Sequence, residues 1–225
     1  MYEILKDYIS EDRLKPYLVK AGYNLKEAIE LYKINLEYSS QLYKVLSLFE
    51  VFLRNAINNE LITVDINWIL KLDNIHIQIL NKLLSTSMVA DNTIQNFKNI
   101  FTIQENLIKD AYDSLILDKK PITNGYLISR LTFGFWTRFF NKVYEDMLYK
   151  KYLYKIFNSK LNRQKAEHLL NEFRWLRNRI AHNEPILYMK HKPQKYYAKI
   201  IEFTEGINSN LTKIIKDTVS QDLFN

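Results

Sequence analysis

The sequence predicts an all-α fold, and three observations carry that prediction. Only 4 glycines and 4 prolines punctuate 225 residues, too few tight-turn positions for a many-stranded sheet. Apolar residues recur at alternating steps of three and four over long stretches. Hydrophobic residues make up 47% of the chain, so a packed globule is expected rather than disorder.

The first strong stripe begins at Leu25 and runs through Ile29, Tyr32, Leu36, Tyr43, Leu46, Leu53 and Ile57. Asn24 supplies a side-chain N-cap for it. Ser39 and Glu50 fall on the same seam, and Arg54 lies one turn beyond Glu50. A structural Glu50–Arg54 ion pair is the expected way to neutralise that carboxylate. A shorter helix is predicted over Leu72–Leu84, with Ile75, Ile79, Leu80 and Leu83 as its apolar face, and another from about Ile103 to Leu117. Pro121 breaks the chain, Thr123 or Asn124 caps the next helix, and that helix is predicted to continue to about Leu153. It holds LTFGFWTRFF, Leu131 to Phe140. Gly134 inside it costs ~1 kcal/mol relative to alanine, which fits close approach of another backbone. Core or dimer packing explains these aromatics better than base stacking. A further helix starts near Asn162. Pro185 disfavours helix at Glu184, so it should end near His182. A last helix is predicted from about Gln194 to Val219. No repeat, low-complexity tract or linker divides the chain, so residues 1–225 read as a single domain.

Composition narrows the function. With no cysteine, disulfides, zinc-thiolate sites, iron–sulfur clusters and cysteine nucleophiles are excluded. The start, MYEILKDYISEDRLK, interrupts its apolar residues with acids and does not read as a secretory signal. No apolar run approaches the ~18 residues of a membrane span, and a cytoplasmic protein is the economical expectation. The net charge of +7 suits a polyanionic partner. Richness in Lys, Asn, Ile and Tyr, as AT-rich coding produces, accounts for it equally well.

The most informative stretch is RWLRNRIAHNEPI, Arg174 to Ile186. On a regular helix Arg177 lies only about 40° from Phe173, the centre of the apolar face, whereas His182 lies about 180° from it. Arg177 therefore needs a partner, either Glu50 or a substrate phosphate. The two side chains diverge by about 140°. They meet at one phosphate only if the helix unwinds at its end or a second subunit completes the site. Asn178 is one turn before His182 and can orient the imidazole.

These residue types suit metal-free RNA cleavage. RNA carries its own nucleophile, the 2′-OH. Histidine can take its proton or protonate the leaving 5′ oxygen. Arginine holds the phosphate and offsets developing charge. The product would end in a 2′,3′-cyclic phosphate, and a symmetric dimer would supply two histidines. Arg174, Arg179, Lys190 and Lys192 are the candidates for steering RNA. The bland alternative makes His182 a histidine favoured by the helix dipole and Arg177 half of a structural ion pair. His76 and His168 lack acidic or histidine partners at metal spacing, and His191 looks like part of a basic surface loop. No metal or cofactor is called for. There is no phosphate-binding glycine loop, G-x-S-x-G elbow or paired-carboxylate motif.

RNRIAHNEPI, Arg177 to Ile186, resembles the R-x4-6-H signature of HEPN domains, in the form found in Abi-like abortive-infection proteins (AbiD/AbiF type). LTFGFW, Leu131 to Trp136, resembles that family's central block. LFEVFLRNAI, Leu48 to Ile57, resembles its N-terminal block, with Glu50, Arg54 and Asn55 matching. The resemblance implies an all-α, HEPN-type helical bundle with additional helices, dimeric, and a metal-independent ribonuclease whose two motifs meet at the dimer interface. It implies Arg177 and His182 as the catalytic pair, with Asn178 the polar residue that follows the arginine. Family members act as toxins or phage-defence effectors, some linked to small RNAs, so a small-RNA or protein antitoxin is a possible partner beside RNA. Where the family often has a second histidine, this chain has Asn183. The alternative expectation is a non-catalytic HEPN-fold protein that holds a small structured RNA or a protein partner.

Overall fold

The computed structural model describes residues 8–85, 90–157 and 161–224. These are mostly helical, with no strand among the described residues. The α-helices are α1 (Glu11–Lys20), α2 (Leu25–Leu61), α3 (Leu72–Leu84), α4 (Asp91–Leu117), α5 (Asn124–Arg130), α6 (Phe133–Thr137), α7 (Arg163–Ala181), α8 (Pro193–Ile207) and α9 (Ser209–Thr218). Of the start MYEILKDYISEDRLK, read above as not a secretory signal, residues 1–7 lie outside the described residues. No described helix is long and apolar enough to cross a membrane.

Two compact units emerge. The first takes the described residues up to Phe49, Glu172–Glu205 and those from Ser209 onward; the second takes Glu50–Asn171 and Gly206–Asn208.

In the first unit, α2 starts at a reciprocal cap. Asn24 Oδ1 accepts from Glu27 N at 3.2 Å, the side-chain cap the sequence predicts, and Asn24 Nδ2 also donates to Glu27 Oε1 at 3.2 Å. The core centres on three rings packed edge to face. Phe49 lies 5.4 Å from Phe173 and 5.2 Å from Phe203, and those two lie 5.9 Å apart. Such pairs contribute about 0.5–1.5 kcal/mol each beyond area burial. The α2 stripe needs one correction. Leu36 and Tyr43 are 37% and 45% exposed, while Asn35 and Ser39 are buried. Asn35 occupies the core line because it has work there. Its Nδ2 donates to the Glu184 carbonyl and its Oδ1 accepts from Leu187 N, both at 3.2 Å. An apolar residue at that position would leave both backbone groups unsatisfied.

In the second unit, α3 falls on the predicted Leu72–Leu84, and α4 begins at Asp91 rather than near Ile103. The long helix expected from Asn124 to Leu153 is instead a series of short turns. Thr123 caps α5, its Oγ1 accepting from Tyr126 N at 3.3 Å. The backbone then becomes extended at Leu131 (ψ 139°) and again at Asn141 (ψ 149°). At the second break Asn141 Oδ1 accepts from Val143 N at 3.1 Å, a local bond that competes with helix continuation. Phe133, Phe135, Trp136, Phe139 and Phe140 are all buried along this broken run. That burial makes the aromatic block core. The final helix is likewise divided, with Asn208 between α8 and α9.

Candidate functional site

Helix α7 carries the Arg/His motif. Asn162 Oδ1 caps it by accepting from Lys165 N at 2.8 Å. Its buried face is Ala166, Leu169, Leu170, Phe173, Leu176 and Ile180. The end is well defined. His182 N donates to Asn178 O at 3.0 Å, so the helical turn persists through the histidine. Asn183 N then donates to Ile180 O and Glu184 N to Arg179 O, both at 2.9 Å, with Asn183 in the left-handed region at φ 52°. This is a Schellman closure, and asparagine is the residue after glycine best suited to its left-handed position. The asparagine standing where the family often has a second histidine therefore has a structural task. Arg13 Nη1 adds a cation at the helix end, 3.4 Å from His182 O and 3.5 Å from Asn183 O, a favourable place for positive charge.

The regular end decides one of the two routes by which Arg177 and His182 could meet. The helix does not unwind before His182, so the divergence of about 140° persists within one chain. His182 and Asn178 are exposed and Arg177 is half-buried. Within their own unit, no side-chain hydrogen bond or ion pair involves any of the three among the described residues. The expected orienting contact between Asn178 and His182 is not formed.

Of the steering cations, Lys190 and Lys192 are exposed and Arg174 is half-buried. Arg179 is more committed. Its Nη2 lies 2.5 Å from Glu184 Oε2 and its guanidinium sits 4.7 Å from the centre of the Trp175 ring. His191 is half-buried rather than a free loop residue. Its Nε2 lies 3.8 Å from Glu172 Oε1, and Lys199 Nζ donates to both Glu172 oxygens at 2.7 Å. Desolvation first, then Lys195 and Lys199, push the His191 imidazole below its ordinary value. Glu50 and Arg54 are both half-buried on α2, where Arg54 Nε donates to Asn55 Oδ1 at 3.5 Å.

His76 departs most from its sequence reading. Spacing gives it no acidic partner, yet in the second unit its Nδ1 lies 2.6 Å from Glu105 Oε1 and its Nε2 lies 2.7 Å from the Tyr144 hydroxyl. The Tyr144 hydroxyl in turn bonds Gln104 Oε1. Phe101 stacks on the imidazole with ring centres 4.1 Å apart. Partners from α4 and from the turns after α6 are invisible to a spacing rule. Among the described residues no group of three or more His, Asp or Glu could hold a metal ion.

A helical protein with an arginine and an exposed histidine five residues apart at a capped helix end is thus in place. Its sequence matches the family model described as Abi-like protein over residues 2–188, and the chain belongs to that family. No curated protein and no solved structure matches it.

Proposed function

We propose that the protein is a metal-independent RNA endonuclease of abortive-infection, toxin type, built as a HEPN-type bundle that works as a homodimer. The carrying observation is the contrast on α7. His182 is held by an ordered helix end, yet its ring faces solvent with no partner in its unit. Arg177 likewise lacks an ion-pair partner there, although a half-buried guanidinium ordinarily has one. Because one helix cannot aim both groups at one phosphate, a second copy supplies the complement. One His182 takes the 2′-OH proton, and the 2′ oxygen attacks phosphorus. The other His182 protonates the leaving 5′ oxygen, giving a 2′,3′-cyclic phosphate and a free 5′-OH. Arg177 holds the phosphate and offsets its growing charge.

The test is incubation of wild-type and His182→Ala protein with total RNA, with the ends mapped. Wild type should yield cyclic-phosphate ends, the variant none, and EDTA should change nothing. Full cleavage by His182→Ala would remove the mechanism. A salt-dependent gel shift by wild type without products would instead identify an RNA-binding protein that does not cut.

A further inference from the structure

We propose that Trp175 is a nucleobase-stacking platform beside His182, a role that rests on the RNA reading above and specifies how the single strand is held. Trp175 is the exposed tryptophan of the three in the chain: 45% of its surface is open, whereas Trp68 and Trp136 are 3% and 0% exposed. A large aromatic on the outer face of an amphipathic helix is costly to leave in water unless something covers it. His182 lies seven positions further along the chain. On α7 that places the two on one face within about 20° and about 10.5 Å apart along the axis. Asn178, between them, is exposed as well.

The ring is also held in place. Asn183 in its left-handed conformation and Asn35 on the Glu184 carbonyl fix the turn after α7. Glu184 then grips the Arg179 guanidinium at 2.5 Å, and the guanidinium lies 4.7 Å from the Trp175 ring centre. Arg179 thus orients the indole and lends it positive charge. A fixed aromatic with a cation against it and basic Lys190 and Lys192 on the following loop suits stacked bases with nearby phosphates. Its helix-face neighbours, Asn178 and His182, are polar, which suits a wet cleft beside the dimer seam better than the apolar centre of a protein interface. At the 3.4 Å stacked spacing, the offset corresponds to roughly three nucleotide steps between the stacked base and the scissile linkage.

The test uses a single-stranded RNA oligonucleotide titrated into the His182→Ala protein, read by tryptophan emission and by filter binding. RNA should quench the emission. Adding Trp175→Ala should weaken binding by about 5- to 150-fold, the range of one lost stacking contact, and Trp175→Phe should restore most of it. Unchanged binding by Trp175→Ala would overturn the proposal. So would protein-concentration-dependent loss of Trp175 exposure without RNA, which would assign the face to self-association. Binding through Trp175 by a wild-type protein that never cuts would leave the platform standing and remove the nuclease. Cleavage with the same KM in Trp175→Ala would remove the platform and leave the nuclease. No RNA binding by the His182→Ala protein would remove the platform, and wild-type cleavage would then decide the nuclease by itself.

Discussion

His76 and His182 sit at opposite extremes of one chemistry. His76 is 1% exposed, stacked on Phe101 and bonded through both ring nitrogens to Glu105 and Tyr144. His182 ends an ordered helix with its ring in solvent and no side-chain partner in its unit. The buried imidazole has its hydrogen-bonding capacity filled by its own protein, as a group that specifies a core must. The exposed one has hydrogen-bonding capacity to spare. Proton bookkeeping sharpens the contrast. If Tyr144 donates to Gln104, both His76 nitrogens must donate and the ring is charged. If the Gln104 amide turns over, its Nε2, otherwise buried without a partner, donates to Tyr144. Tyr144 then donates to a neutral ring. Burial favours the neutral arrangement.

The comparison can be broken most sharply by alanine at each histidine. His182→Ala should lower RNA cleavage by about 10²- to 10⁴-fold, measured as initial rate, with unfolding free energy changed by no more than about 0.5 kcal/mol. His76→Ala should do the reverse. A cavity and an orphaned Tyr144 hydroxyl should cost about 2–4 kcal/mol in denaturant unfolding, with cleavage at a temperature where it stays folded close to wild type. A His76 variant that is stable but inactive would invert the assignment.

The pH dependence of stability comes next. Burial, its largest cause, pushes the His76 imidazole below 6.5, against the raising effect of Glu105. Below pH 6.5 the unfolded chain binds more protons at this site than the folded one. Stability is therefore complete above 6.5 and declines as pH falls through that value toward the lowered one. Asp65 and Asp146, held low by Lys71 and by Lys150 with Lys82, lose their contributions only as pH falls below 3.8. His191 shifts in the same direction as His76 but sits nearer solvent. Denaturant midpoints at pH 7 and pH 5 should show the decline in wild type and a flatter profile in His76→Phe. An unchanged slope would show that His76 does not titrate in that window.

The smallest expected effect lies at the helix end that displays His182. Asn183→Gly should leave stability within about 0.5 kcal/mol of wild type. Asn183→Val, forced to φ 52°, should cost about 1–2 kcal/mol. Equal melting curves for the two would mean that the left-handed closure contributes nothing to holding the motif.

What local sequence could decide, it decided. Helical class, the Asn24 cap, the Leu72–Leu84 helix and the end of α7 near His182 follow from periodicity, capping chemistry and Pro185, all of which act over a few residues. The placement of Arg177, Asn178 and His182 on the last turns of one helix follows for the same reason. Tertiary structure decided what depends on partners far along the chain. Asn35 displaces apolar residues from the α2 core line because a loop some 150 positions later needs its amide. The aromatic block breaks into short turns at Leu131 and Asn141, where the backbone becomes extended, and the apolar periodicity of the block does not reveal either break. His76 is satisfied by Glu105 and Tyr144, which no spacing from residue 76 reveals. Periodicity records which side of a helix is buried, but hydrogen-bond satisfaction is a property of the folded neighbourhood.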